Sequence, residues 1–222
     1  MVDLEQKPTI KVIIFDLGSV VYTTDWNGLN ENFRSKFGFD IRPFKSESMG
    51  VLKEKIIGIF KDAIVGRTCI RDAVICLGKK ENAEEIISYY KQYYAKNKVL
   101  NLHMVAIINK LKRGYSVFAL TDTNKEHYEA DEESGLFDLF DDVFASHILG
   151  KRKTDITIFH DLVQKIGFKP EECLFIDDIE EHIENARKVG MKAIHYTDFP
   201  NMDKFVEELN SMLKISLTLR KI

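Results

Sequence analysis

The chain has 222 residues, 45% hydrophobic and 30% charged, with 32 basic and 35 acidic side chains and a net charge of -3. That much apolar material can fill a core, which excludes wholesale disorder. The balanced charge excludes a general electrostatic pull toward nucleic acid or an anionic membrane. No apolar run approaches the ~18 residues of a membrane span, and the polar start MVDLEQKPTIK lacks the apolar centre of a signal peptide. Cys69, Cys76 and Cys173 are odd in number and far apart, a pattern of buried thiols rather than of a disulfide or zinc framework. The expectation is a cytoplasmic protein without nucleic-acid or membrane partners.

In chain order, residues 10–17, IKVIIFDL, form a short apolar run ending in an acid, as a buried parallel strand does. Residues 25–98 then show only amphipathic helical patterns, broken at Gly38, Gly66 and Gly78. A crossover this long usually carries function. From about residue 100 strand and helix alternate. Strands are predicted at 116–122, 141–146, 173–178 and 191–196, and helices at 102–114, 154–167 and 179–190, ending at Gly114, Gly167 and Gly190. The tail 216–222 reads as an edge strand or as disorder. The predicted architecture is α/β: a doubly wound parallel sheet built from 1–24 and 99–222, with a helical domain at 25–98 inserted after strand one.

Open parallel sheets bind ligands at the carboxyl ends of their strands. There strand one carries Asp16, followed by Gly18, and strand two carries Thr121, Asp122, Thr123 and Asn124. Strand four carries Asp177 and Asp178, and the basic segment Gly150–Lys153 follows strand three. Singly, each reads as a turn, a helix cap or a solvated loop; their ordered recurrence at successive strand ends carries the functional reading. Clustered carboxylates repel one another until a divalent cation relieves them. Mg²⁺ takes one or two carboxylates together with waters and phosphate. A carboxylate can attack phosphorus to give an aspartyl phosphate, while a Thr hydroxyl, backbone amides and a Lys suit phosphoryl oxygens.

The segments FDLGSVV (15–21), LTDTN (120–124), GKRKTD (150–155) and FIDDIEEHIENARKVGM (175–191) resemble, in order and spacing, the four motifs of the haloacid dehalogenase superfamily. The helical stretch 25–98 resembles that family's cap, and the FDLG form resembles a bacterial sugar-phosphate phosphatase branch. The resemblance implies Asp16 as nucleophile and metal ligand, the Gly18 carbonyl and Asp178 as further Mg²⁺ ligands, and Asp177 as a ligand or a group behind one. It implies Thr121 and the Asp122 amide as the phosphoryl grip and Lys153 as the group that steadies Asp16 and the transferring phosphoryl. The implied activity is a Mg²⁺-dependent phosphatase acting on a small phosphorylated metabolite, as a monomer or homodimer.

Four positions depart from the family pattern. Gly18 stands where most family phosphatases have a second Asp, a general acid/base worth about 10²–10⁴-fold. Asp122 and His182 each replace a commoner Asn, and Thr154 a commoner Pro. His127 is one candidate for the missing proton, with a surface or capping role as its alternative. Trp26 is placed to line the cleft. Tyr89, Tyr90, Tyr93 and Tyr94 fall at helical spacing and suit the cap core or the cap interface, with substrate contact as the alternative; Lys151 and Arg152 read as solvated. Two other functions fit the same residues: a metal-free haloacid dehalogenase, and a catalytically weak, phospho-ligand-binding or regulatory protein.

Overall fold

The computed structural model describes residues 9–41, 50–197 and 202–218. Its first strand, β1 (Val12–Phe15), is buried along its whole length, because VIIF puts an apolar side chain on each face of the pleat. Ile13 and Phe15 enter one core, Val12 and Ile14 the other. The next two strands, β2 (Tyr22–Thr24) and β3 (Lys98–Leu100), pair antiparallel with each other as a separate ribbon. The remaining strands are β4 (Ser116–Thr121), β5 (Asp142–Ala145), β6 (Cys173–Asp177) and β7 (Lys192–His195). All four join β1 in one parallel sheet ordered β5-β4-β1-β6-β7, so the predicted α/β class and its four later strands are observed.

Among the described residues between β2 and β3 lie four α-helices: α1 (Trp26–Phe37), α2 (Gly50–Ile64), α3 (Ile70–Cys76) and α4 (Ala83–Lys96). They bury their apolar stripes in a cluster of their own around Leu29, Phe33, Phe60, Val74, Ile86 and Tyr90. After β3 come α5 (Leu102–Leu111), α6 (Lys125–Glu133), α7 (Ser146–Leu149), α8 (Thr157–Ile166), α9 (Glu180–Val189) and α10 (Asp203–Leu213). Helices α5, α6 and α10 pack on one face of the sheet, and α8 and α9 on the other, the doubly wound layering that right-handed crossovers produce. None of the described helices is long and apolar enough to cross a membrane.

Several expectations change. The ribbon of β2 and β3 had no counterpart in the sequence reading; strands of three residues are too short to show a period-2 pattern. Helix α5 ends at Leu111 with Lys112 as its cap, so Gly114 is not the C-cap; Gly114 only continues the turn into β4 through Gly114 N–H to Leu111 O at 3.0 Å. Gly167 and Gly190 do end α8 and α9 in the left-handed region, at φ 73° and 100°. The described part of the tail is neither an edge strand nor unattached, because Leu217 bonds Asn210 through both backbone groups and the Thr218 carbonyl accepts from Lys110. Positions 219–222 lie outside the described residues. Of the cysteines only Cys173 is buried; Cys69 and Cys76 are partly exposed.

The four-helix layer docks on α6 and α7 through specific polar contacts. Ser146 donates to the Ile64 carbonyl at 2.6 Å, the buried Glu126 carboxylate accepts from Ile70 N–H at 2.9 Å, and Lys91 reaches Glu129 and Glu133 at 3.0 and 2.7 Å. Gly66 closes this contact. It holds φ at +72°, and a Cβ there would collide with the His147 carbonyl oxygen. Both effects oppose any side chain, and left-handed backbone alone costs about 1–2 kcal/mol. Gly66→Ala is therefore expected to lower stability by at least that amount, read as a fall in Tm of several degrees; an unchanged Tm would show that the contact does not hold this layer in place.

Candidate active site

Asp16 follows β1 directly, and its N–H binds the Ile176 carbonyl of β6 at 2.8 Å. That bond fixes the residue at the carboxyl end of the sheet, in the crevice between β1, β4 and β6. Lys153, 137 positions away, comes up from the loop after α7 and donates to Asp16 Oδ1 at 2.5 Å and to Asp177 Oδ2 at 2.6 Å. Lys153 is only 2% exposed and Asp177 0%. Asp177 also accepts from Ile179 N–H at 2.8 Å and faces His182 Nδ1 at 3.1 Å. The carboxylates of Asp16, Asp177 and Asp178 offer oxygens within 4.8 Å of one another.

Three carboxylates and one ammonium leave a surplus of negative charge in a site largely shut off from water. Burial pushes the Asp16 carboxyl up to about 7, against the pull of Lys153 and helped by Asp177 and Asp178. Burial and Asp177 likewise raise Asp178. Burial would raise Asp177 too, but Lys153 and His182 outweigh it and hold its pKa below the usual value. Burial disfavours the Lys153 ammonium, yet Asp16, Asp177 and Asp122 overcome that and raise its pKa. Lys153 is thus charged across the working pH range. Hard oxygen donors with unneutralised charge are the donor set of Mg²⁺, so the residues present fit that ion.

The departures from the family pattern acquire physical reasons. The Asp122 carboxylate turns onto the Lys153 loop, accepting from Lys153 N–H at 3.0 Å and Arg152 Nε at 3.1 Å. Its charge is matched by Arg152. Arg152 and Lys151, expected to be solvated, are partly exposed and each makes an ion pair, the latter with Asp161 at 2.6 Å. His182 props Asp177 from α9. Asn185, one turn on, donates to the Lys153 and Thr154 carbonyls at 3.1 and 3.2 Å. It pins the Lys153 loop and takes over the stiffening expected of a proline at position 154; the sequence reading missed it, since only its position three residues after His182 hinted at a shared helix face.

Gly18 is not held by backbone strain. Its φ is not positive, and the left-handed residue of this turn is Ser19 at φ 62°. A Cβ at Gly18 would meet nothing within 4 Å, so glycine is not demanded by the turn; its effect is to leave space beside Asp16.

These residues border a pocket of about 510 Å³ whose other wall is Tyr22, Thr23, Thr24, Trp26, Tyr94 and His127. Thr121 and Asp178 also line it. Trp26 lines the cleft as expected. Tyr90 and Tyr94 are buried; Tyr90 packs within the four-helix cluster, and Tyr94 reaches the sheet core and the pocket. His127 is stacked on Tyr94 with ring centres 4.0 Å apart. Asn124 Oδ1 caps α6 by accepting from His127 N–H, which turns the Asn124 amide nitrogen toward His127 Nδ1 at 3.3 Å. His127 Nε2 lies within hydrogen-bond distance of Tyr90 Oη, at 2.8 Å. Both ring nitrogens are engaged, so His127 meets the pocket as an aromatic face rather than as an idle proton donor. Behind the wall a buried Lys98–Asp131 ion pair receives the hydroxyls of Tyr22 and Tyr94, joining β2, β3, α4 and α6.

Known proteins are similar to this chain in sequence and fold. A haloacid dehalogenase-like hydrolase family model matches residues 10–190. The sesquiterpene phosphatase astK of Aspergillus oryzae is 32% identical over 97 residues, 43% of this chain, and the chain spans only 50% of that protein. Phosphatase MT3486 of Mycobacterium tuberculosis is 25% identical, covering 83% of this chain and 86% of its own length. The D-ribitol-5-phosphate phosphatase of Bacteroides thetaiotaomicron is also 25% identical, over 83% of this chain and 90% of its own. A HAD family enzyme from the same bacterium, solved with magnesium and inorganic phosphate, superposes with a TM-score of 0.70 over 88% of this chain and 98% of that one, at 22% identity, a likeness of fold. With the motif order, the sheet order and the family match in agreement, the chain belongs to the haloacid dehalogenase-like hydrolases.

Proposed function

We propose that this hydrolase is a Mg²⁺-dependent phosphatase that cleaves a small phosphorylated metabolite through an aspartyl phosphate on Asp16. The observation that supports this most is the single buried ammonium of Lys153 bridging Asp16 and Asp177, in a pocket whose carboxylates outnumber its cations. Asp16, Asp178 and the Gly18 carbonyl would hold the ion, with Asp177 keeping Lys153 in place. When bound, Mg²⁺ supplies the positive charge that lets carboxylate and phosphoryl group approach.

The chain's own groups do the rest. Lys153 fixes one carboxylate oxygen of Asp16, leaving the other to attack phosphorus. The phosphorus–oxygen bond to the leaving group breaks as the aspartyl bond forms, and the alkoxide departs with a proton taken from water or from the substrate itself. Water then cleaves the acyl phosphate, releasing inorganic phosphate and restoring the Asp16 carboxylate. Thr121 and the Asp122 amide hold the phosphoryl oxygens, as donors preorganised toward developing charge do. Residues 25–98 act as a cap over 1–24 and 99–222, limiting access of water and of large substrates.

The test is a panel of phosphate monoesters assayed with Mg²⁺ and with EDTA. Turnover is expected only with Mg²⁺. Undiminished turnover in EDTA would overturn the Mg²⁺ dependence, turnover of a 2-haloacid in EDTA without turnover of any ester would favour the metal-free dehalogenase chemistry, and tight binding without turnover would favour the regulatory reading that Gly18 motivates.

A further inference from the structure

The pocket of about 510 Å³ lies within the range of small-molecule sites, about 300–1,000 Å³, and a phosphoryl group alone fills a small part of it. The space left over belongs to the leaving group. Its chemistry can be read from the wall facing Asp16. That wall comes from β2, α1, α4 and α6 and consists of Tyr22, Thr23, Thr24, Trp26, Tyr94 and His127.

None of these six is an Asp, Glu, Lys or Arg. The two ring nitrogens of His127 are engaged by Asn124 and Tyr90. Tyr22 and Tyr94 spend their hydroxyls on each other, at 2.5 Å, and on Asp131, so they offer the pocket carbon rather than oxygen. Trp26 stacks on Tyr94 and lies tilted against His127, with ring centres 5.8 and 5.4 Å away, and unlike the buried Tyr94 it is partly exposed. The charged groups of the pocket are Asp16, Asp122, Arg152, Lys153 and Asp178. They belong to the phosphoryl end, and Asp122 and Arg152 already neutralise each other. Among the described lining residues, then, the facing wall has no cation for a carboxylate or second phosphate and no carboxylate for an amine. Its threonines are Thr23 and Thr24, and the Thr24 hydroxyl is buried, which leaves this wall too few hydroxyls for an open-chain polyol.

We infer that the leaving group is an uncharged alcohol carrying a ring, whose flat face packs on the Trp26–Tyr94–His127 wall. The inference rests on the phosphatase reading of the same site. A saturated ring with a C–H face and an aromatic ring share the chemistry that this wall recognises; the excluded substrates are open-chain polyol phosphates and esters bearing a second charge.

The experiment compares kcat/KM with Mg²⁺ for benzyl phosphate, cyclohexylmethyl phosphate, glycerol 1-phosphate, phosphoglycolate and acetyl phosphate. At least one ring-bearing ester is expected to exceed glycerol 1-phosphate and phosphoglycolate by at least about tenfold, the scale of one aromatic contact plus its buried area. The benzyl and cyclohexylmethyl arms separate the two kinds of ring. Trp26→Ala is expected to lower the ratio of the preferred ring ester to acetyl phosphate about tenfold, and Trp26→Phe to restore most of it. Turnover of acetyl phosphate without a ring preference, or a ratio that Trp26→Ala leaves unchanged, overturns the inference and leaves the phosphatase reading standing. Failure of every ester, acetyl phosphate included, overturns both.

Discussion

Replacing Asp16 by Asn should lower kcat by at least about 10³-fold, because an amide cannot form the acyl phosphate and the step that the site is built around is lost. The substitution is nearly isosteric, and Lys153 keeps its bond to Asp177, so the variant should fold. A second readout separates lost chemistry from lost structure. Burial raises the Asp16 carboxyl to about 7 in the folded chain, above its ordinary value, so the native state binds the proton more tightly than the unfolded one. Its contribution to stability is full below the unfolded pKa and is lost as pH rises through the folded one, at up to about 1.4 kcal/mol per pH unit in between. Without metal, the wild type should therefore lose stability between about pH 4 and 7 relative to Asp16→Asn. Thermal melts in EDTA at several pH values check the sign. Retained turnover in the variant would refute Asp16 as the nucleophile.

Lys153→Met should be the more damaging change to the fold. It removes the ammonium that bridges Asp16 and Asp177 while keeping much of the apolar stem. The two carboxylates then lose their shared counter-charge in a buried site, a situation that costs about 3–5 kcal/mol. In a chain of this size the expected fall in Tm is about 6–20 °C. Turnover should vanish even at temperatures where the variant is folded. Mg²⁺ should recover part of the lost stability, since a divalent cation meets the same surplus of charge. A variant that melts like the wild type would mean that Lys153 does not carry the charge balance of this site.

Gly66→Ala tests the contact between the four-helix layer and α7, where backbone conformation rather than charge is at stake. The EDTA comparison tests whether the carboxylate surplus is a metal site in solution.

Much of this was legible in the sequence. The run VIIF before Asp16 leaves a central strand no alternative, since every side chain in it prefers burial. The recurrence of acids, Thr and Lys at successive strand ends then follows from topology, because parallel strands present their carboxyl ends together. Helix ends at Gly167 and Gly190 follow from the freedom of glycine to take positive φ. Local rules of this kind depend on neighbours a few residues apart.

What the sequence could not show depends on contacts across long separations. The Lys153 bridge spans 137 and 24 positions, and whether an ammonium beside a strand end reaches two carboxylates or solvent depends on how the loop after α7 is held, which Asn185 on α9 decides. The direction of the Asp122 side chain, toward Arg152 rather than the phosphoryl end, is set by that same loop. The three-residue strands β2 and β3 exist because Tyr22–Thr24 and Lys98–Leu100 find each other, not because either favours extension strongly. So the sequence by itself determined the class of the sheet and the place of Asp16, because burial and strand order are written in local pattern. Only the tertiary structure decided how the charges around Asp16 are paired and what faces it across the pocket, because charge pairing and cavity shape arise where distant segments meet.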